Sequence, residues 1–341
     1  MEAFELGEWI SIDDQTIGFK GMHADKIWIS YKKEGNGFQC DALCCDGYTY
    51  SFFTHNMPAP KKYLVKGLSP LHAHCIFLIN QLKDKHHVCG MDNLYTSARF
   101  FREAYASKNK VLCHGVARKS GRGLPKSVIQ KEVKNKKLQE KERGTTKAAV
   151  LTGEPKAPEL VAFSIYDTKP VHFLSMACTS LKWIEKRKKV YDRESSQNVS
   201  MSFLRCEVTD NYNNGMNSID VADQLRGTYH LDHWMRKHKW WWSVWMWGVE
   251  VLLVNAYVLY RTAHLYIWKT EKKKILEQYA FREAIVIAWM GCKSKDADKH
   301  LTNERKRKRD EAPQKNSLCS STTESEETTR GWRIEDKALD A

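Results

Sequence analysis

The chain has 341 residues, of which 42% are hydrophobic and 28% charged, and its formal net charge at pH 7 is +14. This length is enough for two or three compact units, and most of the chain can build hydrophobic cores. The excess of cations favours a polyanionic partner, with nucleic acid ahead of an anionic membrane surface. The ten cysteines are irregularly spaced and Met1–Phe4 does not begin a signal peptide, so we expect reduced thiols inside a cell.

The amino-terminal segment is predicted to form strands. Apolar residues over Trp9–Ile17 indicate a strand that carries Asp13, and an edge strand is expected over Lys26–Tyr31. Two further segments, Phe38–Leu43 and Gly47–Phe53, are predicted to form a hairpin because turn residues separate them.

Helices and strands then alternate. Ser69 can cap a helix that has proline at its first position, and Thr96 or Ser97 can cap the next one. The predicted segments are a helix over Pro70–Lys83, a strand over Val88–Met91, a helix over Ala98–Ser107 and a strand over Val111–Val116.

An acidic residue, Asp92, directly follows the apolar strand Val88–Met91 and precedes a helix start. A carboxylate at the end of a buried strand is where α/β folds place chemistry. The alternative is that Asp92 and Asn93 only form the turn.

A second acidic pair lies on a predicted helix. Asn217 or Ser218 can cap a helix over Ile219–Tyr229, and Asp220 and Asp223 are three residues apart, so they share one helix face.

Residues 118–147 are dense in cations, which either contact nucleic acid or form a solvated face. A hairpin over Leu160–Ile165 and Val171–Met176 follows, and Lys182–Lys189 is predicted as a basic helix face. The candidate DNA-binding residues come from residues 118–147 and from a cationic stretch before Trp240. They are Arg118, Lys119, Lys134, Lys136, Lys137, Arg236, Lys237 and Lys239.

The apolar run Trp242–Tyr260 is about as long as a bilayer span, but it contains Glu250, which would be costly at mid-bilayer. We therefore expect a buried helix and no membrane. Its tryptophans fill a core or, next to cations, stack on nucleic-acid bases. Another helix is predicted over Leu276–Met290, and the basic cluster Arg305–Arg309 is a candidate nuclear-import signal in a disordered tail.

Three short stretches, Ile12–Gly21, Asp92–Ser97 and Ile219–Leu225, together resemble the piggyBac transposase family. They are similar, in the same order, to the family's V-D-E-Q-x-x-x-F-[RK]-G, D-N-x-[YF]-T-S and V-D-x-x-D-Q-[ML] stretches. Gly115–Lys119 resembles the family's G-T-x-R segment, and Cys40-Asp41 with Gly47-Tyr48 resembles its C-D and G-Y pair. The resemblance covers roughly residues 8 to 265.

This resemblance implies an α/β fold with an RNase H-like catalytic core, which the predicted element order also favours. An insertion domain would interrupt this core, and a helical DNA-binding region would follow it. The expected divisions are residues 1–117 for the first part of the core, 118–206 for the basic insertion, 207–230 for the closing helix, 231–291 for the helical region and 292–341 for a disordered tail.

The resemblance further implies that Asp13, Asp92 and Asp220 are the catalytic acids and hold two Mg²⁺ or Mn²⁺ ions, with Asp223 auxiliary. The reaction would be nicking of DNA at transposon ends and strand transfer into target DNA by a homodimer in the nucleus. Here Asp14 replaces a family glutamate, and Asn217-Ser218 replace two glycines.

Several features depart from the family. The chain begins almost at the first acid, whereas members usually carry a long amino-terminal region, and only Cys292 and Cys319 follow the last predicted helix. The sequence therefore leaves two functions open. One is a truncated transposase, and the other is a domesticated or decayed DNA-binding protein that no longer moves DNA. Two zinc alternatives, Cys40 with Cys44 and Cys45, and His72 with His74 and Cys75, lack the paired spacing of zinc sites.

Overall fold

The computed structural model describes residues 4–30, 35–121, 123–134, 144–151, 158–192, 196–231 and 239–291. Eleven strands lie in these ranges. In chain order they are β1 (Trp9–Gly18), β2 (Ile27–Trp28), β3 (Asn36–Cys45), β4 (Tyr48–Thr54), β5 (Val88–Met91), β6 (Leu112–Ala117), β7 (Thr146–Leu151), β8 (Leu160–Tyr166), β9 (Pro170–Ser175), β10 (Trp183–Asp192) and β11 (Gln197–Cys206).

Five helices accompany the strands in the described ranges; they are α1 (Pro70–Gln81), α2 (Ala98–Ala106), α3 (Glu207–Thr228), α4 (Trp240–Thr262) and α5 (Gln278–Trp289). Short 3-10 turns cover Lys61–Tyr63 and Lys272–Lys274, and a π-helical turn over Ala263–Ile267 follows α4. The predicted caps are confirmed at α1 and α2, where the side chains of Ser69 and Ser97 accept backbone hydrogen bonds.

Nine strands form one mixed sheet. Its order is β2-β3-β1-β5-β6-β9-β8-β7, with β4 paired on β3. Strands β1, β5 and β6 are parallel to one another, whereas β3 is antiparallel to β1 and β9 is antiparallel to β6. The hairpin from β3 to β4 turns at Asp46 and Gly47, both of which have a positive φ, as a tight hairpin turn requires.

Helices cover both faces of the sheet. Ile12 and Leu43 pack with α1 and α2 in the main core, whereas the neighbouring strand residue Ala42 packs with Ile219 and Ala222 of α3. Successive strand residues point to opposite faces, so the odd-numbered residues of β1, which include Asp13, lie on the α3 face.

Residues 118–206, predicted as a basic insertion, contain strands of two kinds. β7, β8 and β9 continue the main sheet, while β10 and β11 form a separate two-stranded sheet. The domain divisions remain predictions. The interpretation of Lys182–Lys189 as a helix face is wrong, because residues 183–189 lie in the strand β10, which pairs with β11 along ten residues.

Helix α3 begins at Glu207, twelve residues before the predicted start. The asparagines and the glycine before Ile219 are weak helix formers and therefore favoured a loop in the sequence. Packing explains the difference, because Gly215 lies against Trp9 and the hydroxyl of Ser218 accepts a hydrogen bond from the Asp46 N–H at 3.2 Å instead of capping its own helix.

The helical segment Trp240–Ile267 is long and apolar enough to cross a membrane by length and composition, and about half of its most apolar window is buried within the protein. Glu250 in this segment is 1% exposed. It accepts a hydrogen bond from the Leu231 N–H at 2.7 Å, and one of its oxygens lies 3.6 Å from Nη1 of Arg226. These partners match the expectation of a helix packed within the fold.

Eight cysteines are described, and all of them are buried and free. Burial raises the pKa of the Cys45 thiol to about 11 and that of Cys44 to about 12. Because the protonated thiol is the unreactive form, these two cysteines are poor nucleophiles near neutral pH.

By internal contacts the chain divides into two units, residues 1–283 and 284–341, and of the second unit only 284–291 are described. Several predicted features lie outside the described residues: the tail 292–341 with its basic cluster, and the cations Lys136, Lys137, Arg236 and Lys237.

Candidate active site

Asp13 and Asp92 lie at neighbouring positions of two parallel strands. The register pairs Ile12 of β1 with Met91 at the end of β5, so the next residue of each strand is Asp13 or Asp92. Both acids are half-buried. The Asp14 N–H donates a hydrogen bond of 2.8 Å to Oδ1 of Asp13. The prediction that Asp92 directly follows a buried strand is confirmed, because β5 ends at Met91.

The turn after β5 is closed on the backbone of Asp92. Its carbonyl oxygen accepts hydrogen bonds from the N–H groups of Tyr95 and Thr96, both at 3.2 Å, and from the Thr96 hydroxyl at 2.9 Å. Its carboxylate accepts one from the N–H of Asn93. A Cβ at Gly115 of β6 would lie 2.2 Å from the Thr96 hydroxyl, so the glycine lets this turn pack directly on β6.

Two glycines let helix α3 approach the strands that carry the acids. A Cβ at Gly90 of β5 would lie 3.3 Å from the carbonyl carbon of Gly215, and one at Gly215 would lie 2.5 Å from the Trp9 ring. The backbone of α3 therefore crosses β5 and β1 just before Asp92 and Asp13.

Asp220 is exposed on α3. It lies four residues after Met216 and eight after Tyr212, so the three side chains share one stripe of the helix. Tyr212 packs against the ring of His114 in β6, and Met216 lies over Gly90 of β5. The stripe therefore faces the carboxyl-terminal side of the parallel strands.

Tyr212 lies within electrostatic range of all three predicted catalytic acids. Burial raises the pKa of its phenol most, and the carboxylates of Asp92, Asp13 and Asp220 raise it further. The carboxylates of all three acids thus raise the pKa of the same phenol, although Asp13 and Asp220 are far apart in the sequence.

Asp223, predicted as auxiliary, is tied to β1. Nε2 of Gln15 donates a hydrogen bond of 2.8 Å to its Oδ1, and Nη2 of Arg226 donates one of 3.2 Å to the same oxygen. Its carboxylate is thereby fixed against the strand that carries Asp13.

A further group of possible metal ligands lies outside the three predicted acids. Among the described residues, one group of three His, Cys, Asp or Glu side chains has all its ligand atoms within 4.8 Å of one another, and it consists of Asp41, His55 and His74. Asp13, Asp92 and Asp220 are not members of this group. Their carboxylate oxygens are nevertheless the ligands that Mg²⁺ prefers.

The cluster around Asp41 was missed by the sequence reasoning, which considered His74 only with its neighbours in helix α1. Oδ2 of Asp41 lies 2.8 Å from Nε2 of His55 and 2.9 Å from Nδ1 of His74, and Oδ1 accepts a 2.6 Å hydrogen bond from Tyr95. Burial alone raises the pKa of the Asp41 carboxyl, but hydrogen bonds from His55, His74 and Tyr95 hold it below its ordinary value.

Four of the predicted DNA-binding residues are described, and all are exposed; they are Arg118, Lys119, Lys134 and Lys239. Nε of Arg118 donates a 3.0 Å hydrogen bond to Oδ1 of Asn93, so this cation lies at the turn that follows Asp92. Lys239 is the residue just before α4 and Trp240.

Comparison with known proteins identifies a matching family and a solved structure of similar fold. The family model described as Transposase IS4 matches residues 1–257. The fold is similar to that in a cryo-EM structure of a piggyBac transposase synaptic complex with hairpin DNA, with a TM-score of 0.61 and 15% sequence identity. This match covers 92% of the chain and 56% of the solved chain, so our chain spans little more than half of that protein's length. A search of curated protein sequences gave no significant match.

Proposed function

We propose, because this chain belongs to the Transposase IS4 family of piggyBac-type transposases, that it cuts DNA strands and joins them to target DNA. The observation that carries the proposal is the adjacency of Asp13, within β1, and Asp92, directly after the end of the parallel strand β5, with Asp220 on the helix that crosses these strands. The sheet order β4-β3-β1-β5-β6, with helices on both faces, supports an RNase H-like core.

The acids have the chemistry of a site for hard divalent cations. Asp13, Asp92 and Asp220 offer only carboxylate oxygens, which suit Mg²⁺ or Mn²⁺. Two such ions, when bound, would activate the attacking oxygen and stabilise the leaving oxygen of a phosphodiester. Tyr212 supports this assignment because all three carboxylates act on its phenol.

The residues around the acids would hold them in position. Gln15 and Arg226 fix Asp223 against β1, and the hydrogen bonds to the Asp92 carbonyl fix the turn of the second acid.

In the proposed first step, a water oxygen attacks phosphorus and the 3′-oxygen leaves as a hydroxyl. In the second step, this hydroxyl attacks a phosphorus of the target DNA and the target's own 3′-oxygen leaves. Both steps need the attacking oxygen held in line with phosphorus, and such positioning lowers the activation barrier by several kcal/mol.

Exposed cations near the site would bind the phosphate backbone. Arg118 lies at the Asp92 turn, and Lys119 follows it. Arg187 and Lys189 are exposed on the β10–β11 ribbon, and a two-stranded ribbon has the dimensions to enter a major groove. Asp210 of α3 anchors this ribbon through Nζ of Lys186 at 2.9 Å.

The proposal extends to assembly and location. A homodimer that holds two transposon ends is what the family resemblance implies. A nuclear location is supported by the basic cluster Arg305–Arg309 and by the need to reach chromosomal DNA.

The test is a nicking assay with purified protein, Mg²⁺ or Mn²⁺, and plasmid DNA that carries the element's own ends. We expect metal-dependent nicks at the ends and their loss to background in the variants Asp13→Asn, Asp92→Asn and Asp220→Asn. The matched control is Asp84→Asn, which removes an exposed acid from the loop before β5 and should leave nicking unchanged.

Each alternative outcome has a clear meaning. Nicking that survives Asp92→Asn would reject these acids as the catalytic groups. Tight DNA binding without any nicking would reject the enzyme and favour a transposase-derived DNA-binding protein.

A further inference from the structure

We propose that Asp41, His55 and His74 form a second metal site, which takes a transition-metal ion such as Zn²⁺ and is separate from the three catalytic acids. Asp41 lies in β3 directly opposite Asp14 of β1, on the face covered by α1 and α2. Asp13 points to the opposite, α3 face, so the sheet separates the two sites.

The three ligand atoms already converge. Oδ2 of Asp41 lies 2.8 Å from Nε2 of His55 and 2.9 Å from Nδ1 of His74, and all three atoms lie within 4.8 Å of one another. In a tetrahedral zinc site, with bonds of about 2.0–2.1 Å, neighbouring ligand atoms are separated by about 3.3 Å. The ion would therefore be admitted if the two short distances opened by about half an ångström and the two histidine nitrogens took a similar separation from each other.

The donor set distinguishes this site from the three acids. Two imidazole nitrogens and one carboxylate suit Zn²⁺ and other borderline transition metals, whereas sites made only of carboxylates suit Mg²⁺. Three protein ligands leave a fourth position for water or another ligand.

The surroundings orient the ligands as second-shell groups do in zinc sites. The Tyr95 hydroxyl donates to Oδ1 of Asp41, which leaves Oδ2 directed at the two histidines. The ring of Phe53 packs 4.4 Å from that of His74 and forms an apolar wall. The His74 side chain is 8% exposed, whereas that of His55 is 33% exposed, so an ion can enter on the His55 side.

The same contacts have a competing explanation. Three hydrogen bonds already satisfy the buried Asp41 carboxylate, and a purely hydrogen-bonded cluster needs no ion. The two explanations differ in one measurable property, which is affinity for zinc.

An ion at this site would also brace the turn of the second catalytic acid. Tyr95 links the two, because its hydroxyl contacts Asp41 while its N–H donates to the carbonyl of Asp92 at 3.2 Å. This consequence rests on the proposed function, but ion binding does not. A chain that binds zinc without nicking DNA would therefore reject only the proposed function.

The experiment uses the full chain after removal of metal with a chelator. We expect one zinc-dependent binding event with high affinity, a rise in Tm on adding Zn²⁺, and visible absorption bands when Co²⁺ replaces it. His55→Ala should weaken Zn²⁺ binding roughly tenfold or more and abolish the zinc-dependent rise in Tm. Because the His55 side chain is partly exposed, this variant should still fold.

Matched controls assign the site. His86→Asn removes another exposed histidine in a position with positive φ, which asparagine tolerates, and should bind zinc as the unchanged chain does. Asp92→Asn and the double variant Cys292→Ser/Cys319→Ser should also retain binding. Absence of zinc binding, unchanged affinity in His55→Ala, or loss of binding in Asp92→Asn would each overturn the proposal.

Discussion

Gln15 and Asp223 are joined by a side-chain hydrogen bond of 2.8 Å, although 208 residues separate them in the sequence. Gln15 lies two residues beyond Asp13 in β1, and Asp223 lies three beyond Asp220 in α3. This bond therefore holds the helix that carries Asp220 against the strand that carries Asp13.

Replacing Gln15 with leucine should lower the free energy of unfolding by about 1–2 kcal/mol, because Asp223 loses a donor in a partly buried place. Urea unfolding measures this as a lower midpoint at an unchanged slope. Gln224→Leu alters an exposed glutamine on the same helix and should change stability by less than about 0.5 kcal/mol. Equal effects of the two changes would mean that the Gln15–Asp223 bond contributes nothing.

Alanine at Gly215 should destabilise the protein by about 1–3 kcal/mol, because its Cβ would lie 2.5 Å from the Trp9 ring. Alanine at Gly248 in α4 meets nothing within 4 Å and should stabilise the protein by up to about 1 kcal/mol through helix propensity. Thermal unfolding of both variants tests this difference in sign. If both were stabilised, the close contact between α3 and β1 would be wrong.

His114 should make stability depend on pH. It is fully buried, and burial lowers its pKa to about 4, although the Val208 carbonyl accepts a hydrogen bond from Nε2 and opposes the shift. As the pH falls, the unfolded chain, with a histidine pKa of about 6.5, takes up the proton before the folded chain does. The free energy of unfolding is therefore unaffected by this histidine above about pH 6.5 and decreases as the pH drops towards 4. The loss amounts to about 3 kcal/mol.

Unfolding in urea at several pH values, compared between the unchanged chain and His114→Gln, isolates this contribution. The glutamine variant should show a smaller loss of stability between about pH 6.5 and 4. Parallel curves for the two proteins would exclude His114 as the source.

Arg226→Met should cost about 3 kcal/mol, because it removes a cationic partner of the buried Glu250. Combining it with Glu250→Gln should restore part of the loss, which a double-mutant cycle measures. The exposed pair Lys169 and Glu132 serves as the control, and Lys169→Met should cost less than about 1 kcal/mol. Strict additivity at Arg226 and Glu250 would show that the two charges do not interact.

Neutralising Lys134, Lys136 and Lys137 together should flatten the salt dependence of DNA binding, by about one unit of slope for each lost phosphate contact. The control neutralises Lys61, Lys62 and Lys66, which precede α1 and give the same change in net charge. Binding measured over a range of salt concentrations distinguishes the two sets. The same slope in both variants would mean that the first set forms only a solvated face.

Local patterns predicted much of the sheet and of the site. Alternating apolar residues predicted β1 and the β3–β4 hairpin, the serine caps predicted α1 and α2, and the end of the apolar run predicted that Asp92 directly follows a strand. These features depend on neighbouring residues, which the sequence displays directly.

Other features depend on contacts between distant residues and were not visible. Helix α3 begins early because Gly215 packs on Trp9, and β10 is a strand because it pairs with β11. Asp41 meets His55 and His74 across 14 and 33 residues, without the paired spacing that marks a zinc site in a sequence.

The long separation between β1 and α3 also sets the order in which the protein can assemble. At about 5–20 residues per second, the ribosome would complete α3 roughly 10–40 s after β1. During that interval Trp9, Ala42 and Cys44 would have no helix over them. The nascent chain therefore carries an uncovered apolar surface, and Asp220 and Asp223 are missing from their places beside β1, until its third helix has been made.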